Sequence, residues 1–373
     1  MTKELGVGII GCGNISAAYL KLAAMFKGYT ILAVADINMD NANACAAEFG
    51  VRSQTVDDLL AADDIDLVIN LTIPAAHVAV SRAILQAGKH VYSEKPFVLS
   101  LNEAQELGGI AAAKGLRIGS APDTFLGASH QLARNLIDGG AIGKVTSGTA
   151  VVMGHGMEDW HPNPDFFFVK GGGPILDMGP YYICNLVQLL GPVQKVTSFT
   201  GAASATRTIT NGPRNGETVP VETPTTIHSV LSFANGAIIT LLASWDVWKN
   251  DHPIMELYGT EGTMNVPDPN WFGGVLTVTE RSGDAAPKSW DHPFAVPNFE
   301  EVHANYRGAG LADMALSITA GVPHRCNADF ATHVVEVLTA ILEAGEAGQV
   351  MTMTTTCTRP DALGPDQARA LLA

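Results

Sequence analysis

Short, uninterrupted apolar runs alternate with amphipathic stretches through the first third of the chain. LGVGII (5–10), TILAVA (30–35), LVINLT (67–72), HVYS (90–93) and LRIG (116–119) predict strands, and the intervening segments 14–25, 39–48, 57–61, 76–86 and 101–113 predict helices. Gly50 and Gly88 stand where two of these helices should stop, and Asp57 is expected to cap the shortest. Strands that are apolar at every position are buried on both faces, the mark of a parallel sheet built from βαβ units. The rhythm changes after about residue 122. Longer strand-like runs follow at 144–152, 193–203, 225–233, 237–245, 254–258 and 275–280, several of them joined by Gly turns such as Asn235-Gly236 and Glu261-Gly262. Helices are expected near 127–138, 310–320 and 329–345, and the Thr, Gly, Asn and Pro of 204–224 predict a long loop. The fold class is therefore α/β followed by α+β. A doubly wound parallel sheet occupies 1–122, and 123–373 is built on a large, mostly antiparallel open sheet.

Composition narrows the partners. The 373 residues carry a formal net charge of −15, which disfavours nucleic acid and anionic membranes. No apolar stretch is long enough to predict a membrane span. The start, Met1-Thr2-Lys3-Glu4, runs straight into a strand rather than reading as a signal peptide, and the cytoplasm is the expected location. Five scattered cysteines without a CxxC pair fit a reducing compartment, and neither a disulfide framework nor a metal site is expected. Disorder is expected, if anywhere, only in the last dozen residues.

The first strand runs into Gly11-Cys12-Gly13-Asn14-Ile15-Ser16. Gly11 permits a tight turn, Gly13 lets a pyrophosphate approach the backbone, and the helix opening at Asn14 and Ile15 offers free N–H groups and a positive dipole end. Ser16 holds the third fingerprint position, where Gly or Ala is usual. Asp36, at the end of the second strand, is placed to accept hydrogen bonds from ribose hydroxyls. This is the Rossmann fingerprint in its full context. Asp36 would repel a 2′-phosphate and Ile37 offers no cation, so NAD(H) is favoured, with NADP(H) left open.

Two further motifs carry chemistry. Glu94-Lys95-Pro96 follows a parallel strand at the carboxyl edge of the sheet, where ligands bind in open α/β folds. Gly171-Gly172-Gly173 leads into Asp177 and Tyr181, four apart and on one face if they share a helix. With the fingerprint, GKHVYSEKP (88–96), the GGG…DxG segment and YGTEG (258–262), the chain resembles the Gfo/Idh/MocA oxidoreductases along nearly its whole length. The resemblance implies that Lys95 touches the reacting hydroxyl and that Glu94 lies near the nicotinamide. Tyr181 then stands where the family's usual DxGxH has its histidine. The loop Thr72-Ile73-Pro74-Ala75-Ala76-His77 departs from the family pattern, and Thr72, Pro74 and His77 are its candidate cofactor contacts. A homodimer or homotetramer is also implied, with the open sheet as the apolar surface.

Oxidising an alcohol removes a hydride from carbon and a proton from oxygen, and the proton needs an acceptor within hydrogen-bond reach. The expected roles are Tyr181 as acceptor, Lys95 polarising the substrate oxygen and Asp177 orienting a neighbouring hydroxyl. Tyr182 and His161 are the alternative acceptors. Asp123, Trp160 and His161 are further candidates for contact with a sugar, inositol or related polyol. Two rival readings are an NAD-dependent glycoside hydrolase that recycles its cofactor and a nucleotide-sensing protein without catalysis.

Overall fold

The computed structural model describes residues 4–373, so Met1, Thr2 and Lys3 lie outside the described residues. Six strands form the first sheet: β1 (Leu5–Ile10), β2 (Tyr29–Ala35), β3 (Arg52–Gln54), β4 (Leu67–Asn70), β5 (His90–Ser93) and β6 (Ile118–Ser120). All pair in parallel, in the order β3-β2-β1-β4-β5-β6. Because the order reverses between β1 and β4, the loops at their carboxyl ends diverge and leave a crevice there. β1 and β4 are buried at every residue, as their apolar runs require.

The second sheet has nine strands. These are β7 (Val145–Met153), β8 (Val193–Gly201), β11 (Thr226–Phe233), β12 (Ile238–Ser244), β13 (Met255–Gly259), β14 (Gly262–Val266), β15 (Leu276–Glu280), β16 (Ala285–Lys288) and β17 (Met351–Thr352), and the remaining two, β9 (Thr206–Thr208) and β10 (Thr218–Pro220), pair only with each other. The order is β16-β15-β14-β13-β7-β12-β11-β8-β17, antiparallel except where β7 meets β12. Alternation along the strands sorts the two faces. Ile227, Ser229, Leu231 and Phe233 of β11 point inward with Ile239, Leu241 and Ala243 of β12, under the helices Gly179–Leu190 and Ala328–Ala347. Phe199, Val230 and Ile238 lie exposed on the other face. No described helix is long and apolar enough to cross a membrane.

Several expectations need correction. The segment 204–224 is not a structureless loop, because it contains the β9–β10 ribbon. The short helix Val56–Ala61 is capped by Thr55, whose hydroxyl accepts from Asp58 N at 3.1 Å, and not by Asp57. The last residues form the helix Pro365–Leu371, and the chain end is tied down by Lys27 N donating to Leu371 O (2.8 Å) and Ala373 N to Met25 O (2.9 Å). Asp177 and Tyr181 do not share one helix. Pro174–Asp177 ends at Met178 and Gly179–Leu190 begins anew, since Pro180 has no N–H with which to continue the ladder.

Candidate active site

The first βα turn is shaped to admit a dinucleotide. Gly11 has φ +105°, and a Cβ there would lie 2.7 Å from the Leu71 carbonyl carbon, so only glycine fits where β1 passes the end of β4. A Cβ on Gly13 would meet nothing within 4 Å, which leaves the space before the helix Asn14–Leu22 open. That helix has no side-chain cap and no acidic residue in its first turn; Ser16 N turns back to Gly13 O at 3.1 Å, which leaves the N–H groups of Asn14 and Ile15 for an anion. Ser16 is small enough to be buried and returns its hydroxyl to Gly13 O at 2.6 Å. Asp36 accepts from Cys12 N and Asn38 N, both at 2.8 Å, which fixes the carboxylate while leaving lone pairs for two ribose hydroxyls. The neighbouring Ile37 is 98% exposed and contributes no charge.

Lys95 and Asp177 meet at the carboxyl end of β5. Lys95 Nζ donates to Asp177 Oδ1 at 2.7 Å and to the Asp177 carbonyl at 2.9 Å. The ammonium lies 5.3 Å from the centroid of the Tyr181 ring. Burial disfavours the charge on Lys95, but the Asp177 carboxylate, with Tyr181 and Glu94, outweighs burial and holds the ammonium above the usual lysine range. Lys95 and Asp177 line a cleft of about 300 Å³ with Ile73, Pro74, Leu99, Phe166, Phe167 and Lys170. Tyr181 is not part of that lining. It is 8% exposed and stands beside Lys95, with Arg307 as its second cationic neighbour.

The surrounding hydrogen bonds explain how these groups are held. Glu94 accepts from the buried Tyr19 hydroxyl at 2.9 Å and from Lys95 N at 3.0 Å. The fully buried Asn70 accepts from Thr72 N (3.2 Å) and Thr72 Oγ1 (2.7 Å), and it donates to His77 O (3.0 Å) and Ser81 Oγ (3.0 Å). The side chain of His77 is turned into the protein rather than toward the crevice. It is 1% exposed, with Nδ1 2.7 Å from Pro96 O and Nε2 2.9 Å from Thr72 O, so it braces the 72–77 loop against the segment after Lys95. Burial lowers its pKa, against the pull of those two carbonyls.

Other candidates fall away from the cleft. Asp123 is buried and takes the N–H groups of Gly308 and Gly310, both at 2.9 Å, at the start of the helix Ala309–Ala320. Burial pushes its carboxyl up to about 6 despite those bonds. Tyr182 is buried, with its hydroxyl donating to Val151 O at 3.2 Å, and does not line the cleft. Trp160 is largely exposed and meets His161 edge-on, while His161 accepts from Asn163 N at 3.1 Å and packs edge-on behind Phe166 and Phe167. Neither lines the cleft.

Sequence reasoning missed Tyr19, Arg307 and the pair Phe166–Phe167. Arg307 donates to Asn270 Oδ1 at 3.0 Å, and its guanidinium lies 5.8 Å from the Trp271 ring centroid. Burial opposes its charge, but Tyr181, Glu94 and Asp123 keep it above the usual arginine range. A lone arginine that belongs to none of the motifs gives no sequence signal. The three successive phenylalanines just before the glycine run were the one legible hint of an aromatic wall.

Comparison with known proteins places these features in context. The NAD-binding Rossmann fold of the GFO_IDH_MocA oxidoreductase family matches residues 5–121, and the GFO/IDH/MocA C-terminal domain matches 130–265. Levoglucosan dehydrogenase from Pseudarthrobacter phenanthrenivorans is 27% identical over 70% of this chain and 73% of its own length. The 1,5-anhydro-D-fructose reductase of Ensifer adhaerens is 28% identical over 74% of this chain and 80% of its own length. A levoglucosan dehydrogenase solved with NADH and L-sorbose shares the fold with a TM-score of 0.81 at 21% identity, over 95% of this chain and 100% of that one.

Proposed function

From the premise that this chain belongs to the Gfo/Idh/MocA oxidoreductase family, with an NAD-binding Rossmann domain, we propose that it moves a hydride between NAD and a hydroxyl-bearing carbon of a sugar or related polyol. Residues 1–122 hold the dinucleotide and 123–373 the substrate. The observation that carries this reading is the meeting of Lys95, Asp177 and Tyr181 at the end of β5, beside the crevice between β1 and β4. The names of the two curated relatives, both acting on anhydro sugars, support the substrate class.

Gly11, Gly13, Asn14 and Ile15 would hold the pyrophosphate, Asp36 the adenine-side ribose, and Thr72, Pro74 and Glu94 the nicotinamide side. The bound nicotinamide supplies the hydride acceptor or donor. The protein handles the proton. Lys95 hydrogen-bonds the reacting oxygen and stabilises negative charge on it, while Asp177 keeps the ammonium charged and fixes its direction. Tyr181, whose ring stands beside Lys95 with the ammonium 5.3 Å from its centroid, is the proton acceptor in this reading. The exposed Phe199, Val230 and Ile238 support a homodimer or homotetramer built on the open face of the second sheet.

The test is a sugar and polyol panel assayed with NAD and NADP separately, followed through the near-ultraviolet absorbance of the reduced nicotinamide. Lys95→Ala and Tyr181→Phe should each lower turnover by roughly 10²–10⁴-fold while NAD binding persists. Near-normal rates in both variants would defeat the assignment.

A further inference from the structure

Among the described residues, every arginine except Arg117 and Arg307 has a carboxylate within 4.0 Å. Arg117 lies just before β6, at the opposite edge of the sheet from the site, and donates to Val322 O in a solvent-exposed contact. Arg307 is half-buried and faces Tyr181, next to the reacting groups. Its N–H groups go to neutral acceptors: Nη2 to Asn270 Oδ1 (3.0 Å) and Asn270 O (3.4 Å), and Nη1 to Asn305 Oδ1 (3.3 Å). The acidic side chains turned toward it, Glu94 and Asp123, are engaged elsewhere. Glu94 holds the Tyr19 hydroxyl and Lys95 N, and Asp123 holds the N–H groups of Gly308 and Gly310. A half-buried cation with only neutral partners lacks the counter-charge that would offset its lost hydration.

The guanidinium is also held still. Asn270 is fixed by its own N–H on Asp268 Oδ1 (2.9 Å). Asn305 is fixed by a reciprocal pair, Asn305 N donating to Asn298 Oδ1 (2.7 Å) and Asn298 Nδ2 to Asn305 O (2.8 Å). The Trp271 ring below Arg307 is itself stacked on His303 at 3.9 Å. A fork fixed in this way loses little freedom when an anion arrives. The cleft beside Lys95 has the same sign. Lys170 lines it and, among the described residues, has no carboxylate within 4.0 Å, whereas Lys95 is paired with Asp177. The charged lining of the cleft is therefore net positive in a protein of net charge −15.

We propose that Arg307 is a substrate-binding residue that takes a carboxylate carried by the substrate, so that the preferred sugars and polyols are sugar acids. The inference rests on the dehydrogenase reading above and narrows its substrate. A guanidinium carries more N–H groups than the three bonds to Asn270 and Asn305 use, and the remainder match the paired oxygens of a carboxylate. Lys95 has two donors on Asp177, which leaves its third for the reacting oxygen. The two cations thus divide the work around Tyr181, Lys95 at the reacting carbon and Arg307 at the acid. A neutral sugar would set a hydroxyl against Arg307 and leave its charge without a counter-ion.

The experiment measures kcat and KM for uronates and aldonates of the common hexoses and pentoses, each paired with its aldose or alditol, and for glucose 6-phosphate. Assays run at about 0.02 and about 0.5 M salt, which moves the screening length from well above to well below the reach of a surface charge. They use the parent protein, Arg307→Lys and Arg307→Met, with NADH affinity measured alongside. In the parent, the acid of at least one pair should exceed its neutral counterpart by about tenfold or more in kcat/KM, chiefly through a lower KM, and high salt should shrink that margin. Arg307→Met should reduce the margin to about twofold or less, and Arg307→Lys, which keeps the charge without the fork, should fall between. Should Arg307→Met not fold, the parent's margin and Arg307→Lys decide the matter. A parent that treats acids and neutral counterparts alike, a margin undiminished in the variants, or a preference for the phosphate over every acid would overturn the carboxylate site alone. A drop of about tenfold in NADH affinity in both variants would assign Arg307 to the cofactor and overturn it equally. Failure to turn over any acid or neutral member of the panel would bring down the dehydrogenase reading with it.

Discussion

Replacing Asp177 by Asn removes the charge that offsets the buried ammonium of Lys95 and leaves the shape of the site almost unchanged. At 2.7 Å and an effective dielectric constant of about 20, the Coulomb energy of the pair is about 6 kcal/mol. The two side chains are 19% and 20% exposed, and the Asp177 carbonyl still accepts from Nζ at 2.9 Å, so we halve the figure to about 3 kcal/mol. At 1.36 kcal/mol per pH unit this moves the titration of Lys95 down by about two pH units. The sign follows from the chemistry. The folded state of the parent raises the Lys95 pKa, so the stabilisation by the pair is complete below the free lysine value and is lost only as pH rises through the raised one. In Asp177→Asn, burial pulls the ammonium down with its main opponent gone. A profile of kcat/KM from about pH 6 to 11 should therefore stay free of the Lys95-dependent alkaline loss in the parent, whose ammonium is held above the usual lysine range, and show that loss entering near the top of the range in the variant, with NADH affinity by tryptophan fluorescence unchanged. A variant profile as flat as the parent's to about pH 11 would refute the argument that Asp177 sets the charge of Lys95.

Asp36→Ala should weaken NAD binding by about ten- to a hundredfold, because hydrogen bonds to a charged acceptor are lost and Cys12 N loses its partner; calorimetric titration giving an unchanged Kd would remove Asp36 from the ribose site. Glu336 accepts from the N–H and hydroxyl groups of Thr354 and Thr355, fastening the carboxyl-terminal segment to the helix Ala328–Ala347. Burial raises its pKa, but those four bonds prevail and the net direction is down, so its contribution is complete above the free glutamate value and fades as pH falls through the depressed one. Glu336→Gln should cost about 2 kcal/mol at pH 7, with a smaller gap near pH 3, both read by urea denaturation; a gap independent of pH would contradict the assignment.

Local pattern was enough to read the parallel sheet, the glycine turn and the residues that end its strands. Each of these follows from chain-local physics: uninterrupted burial in β1 and β4, the positive φ at Gly11, and the position of Asp36 and Glu94-Lys95 at strand ends. Hairpins such as Asn235-Gly236 were legible for the same reason, since Gly236 takes φ +92°. The sequence likewise placed Asp177 and Tyr181 near one another, though Pro180 breaks the helix that would have joined them. Tertiary packing decided the rest. A carboxylate such as Asp123 reads identically whether it faces a cleft or holds the start of a helix, and only the close approach of Gly308 and Gly310 settles which. The histidine at 77 looks like a ligand until two carbonyls from different loops occupy both ring nitrogens. Arg307 reaches Tyr181, and the ribbon reaches Asp165, across separations along the chain over which no periodicity or spacing carries information. Burial and partner identity are properties of the packed chain, and they determine which charged groups face the cleft and which serve the frame around it.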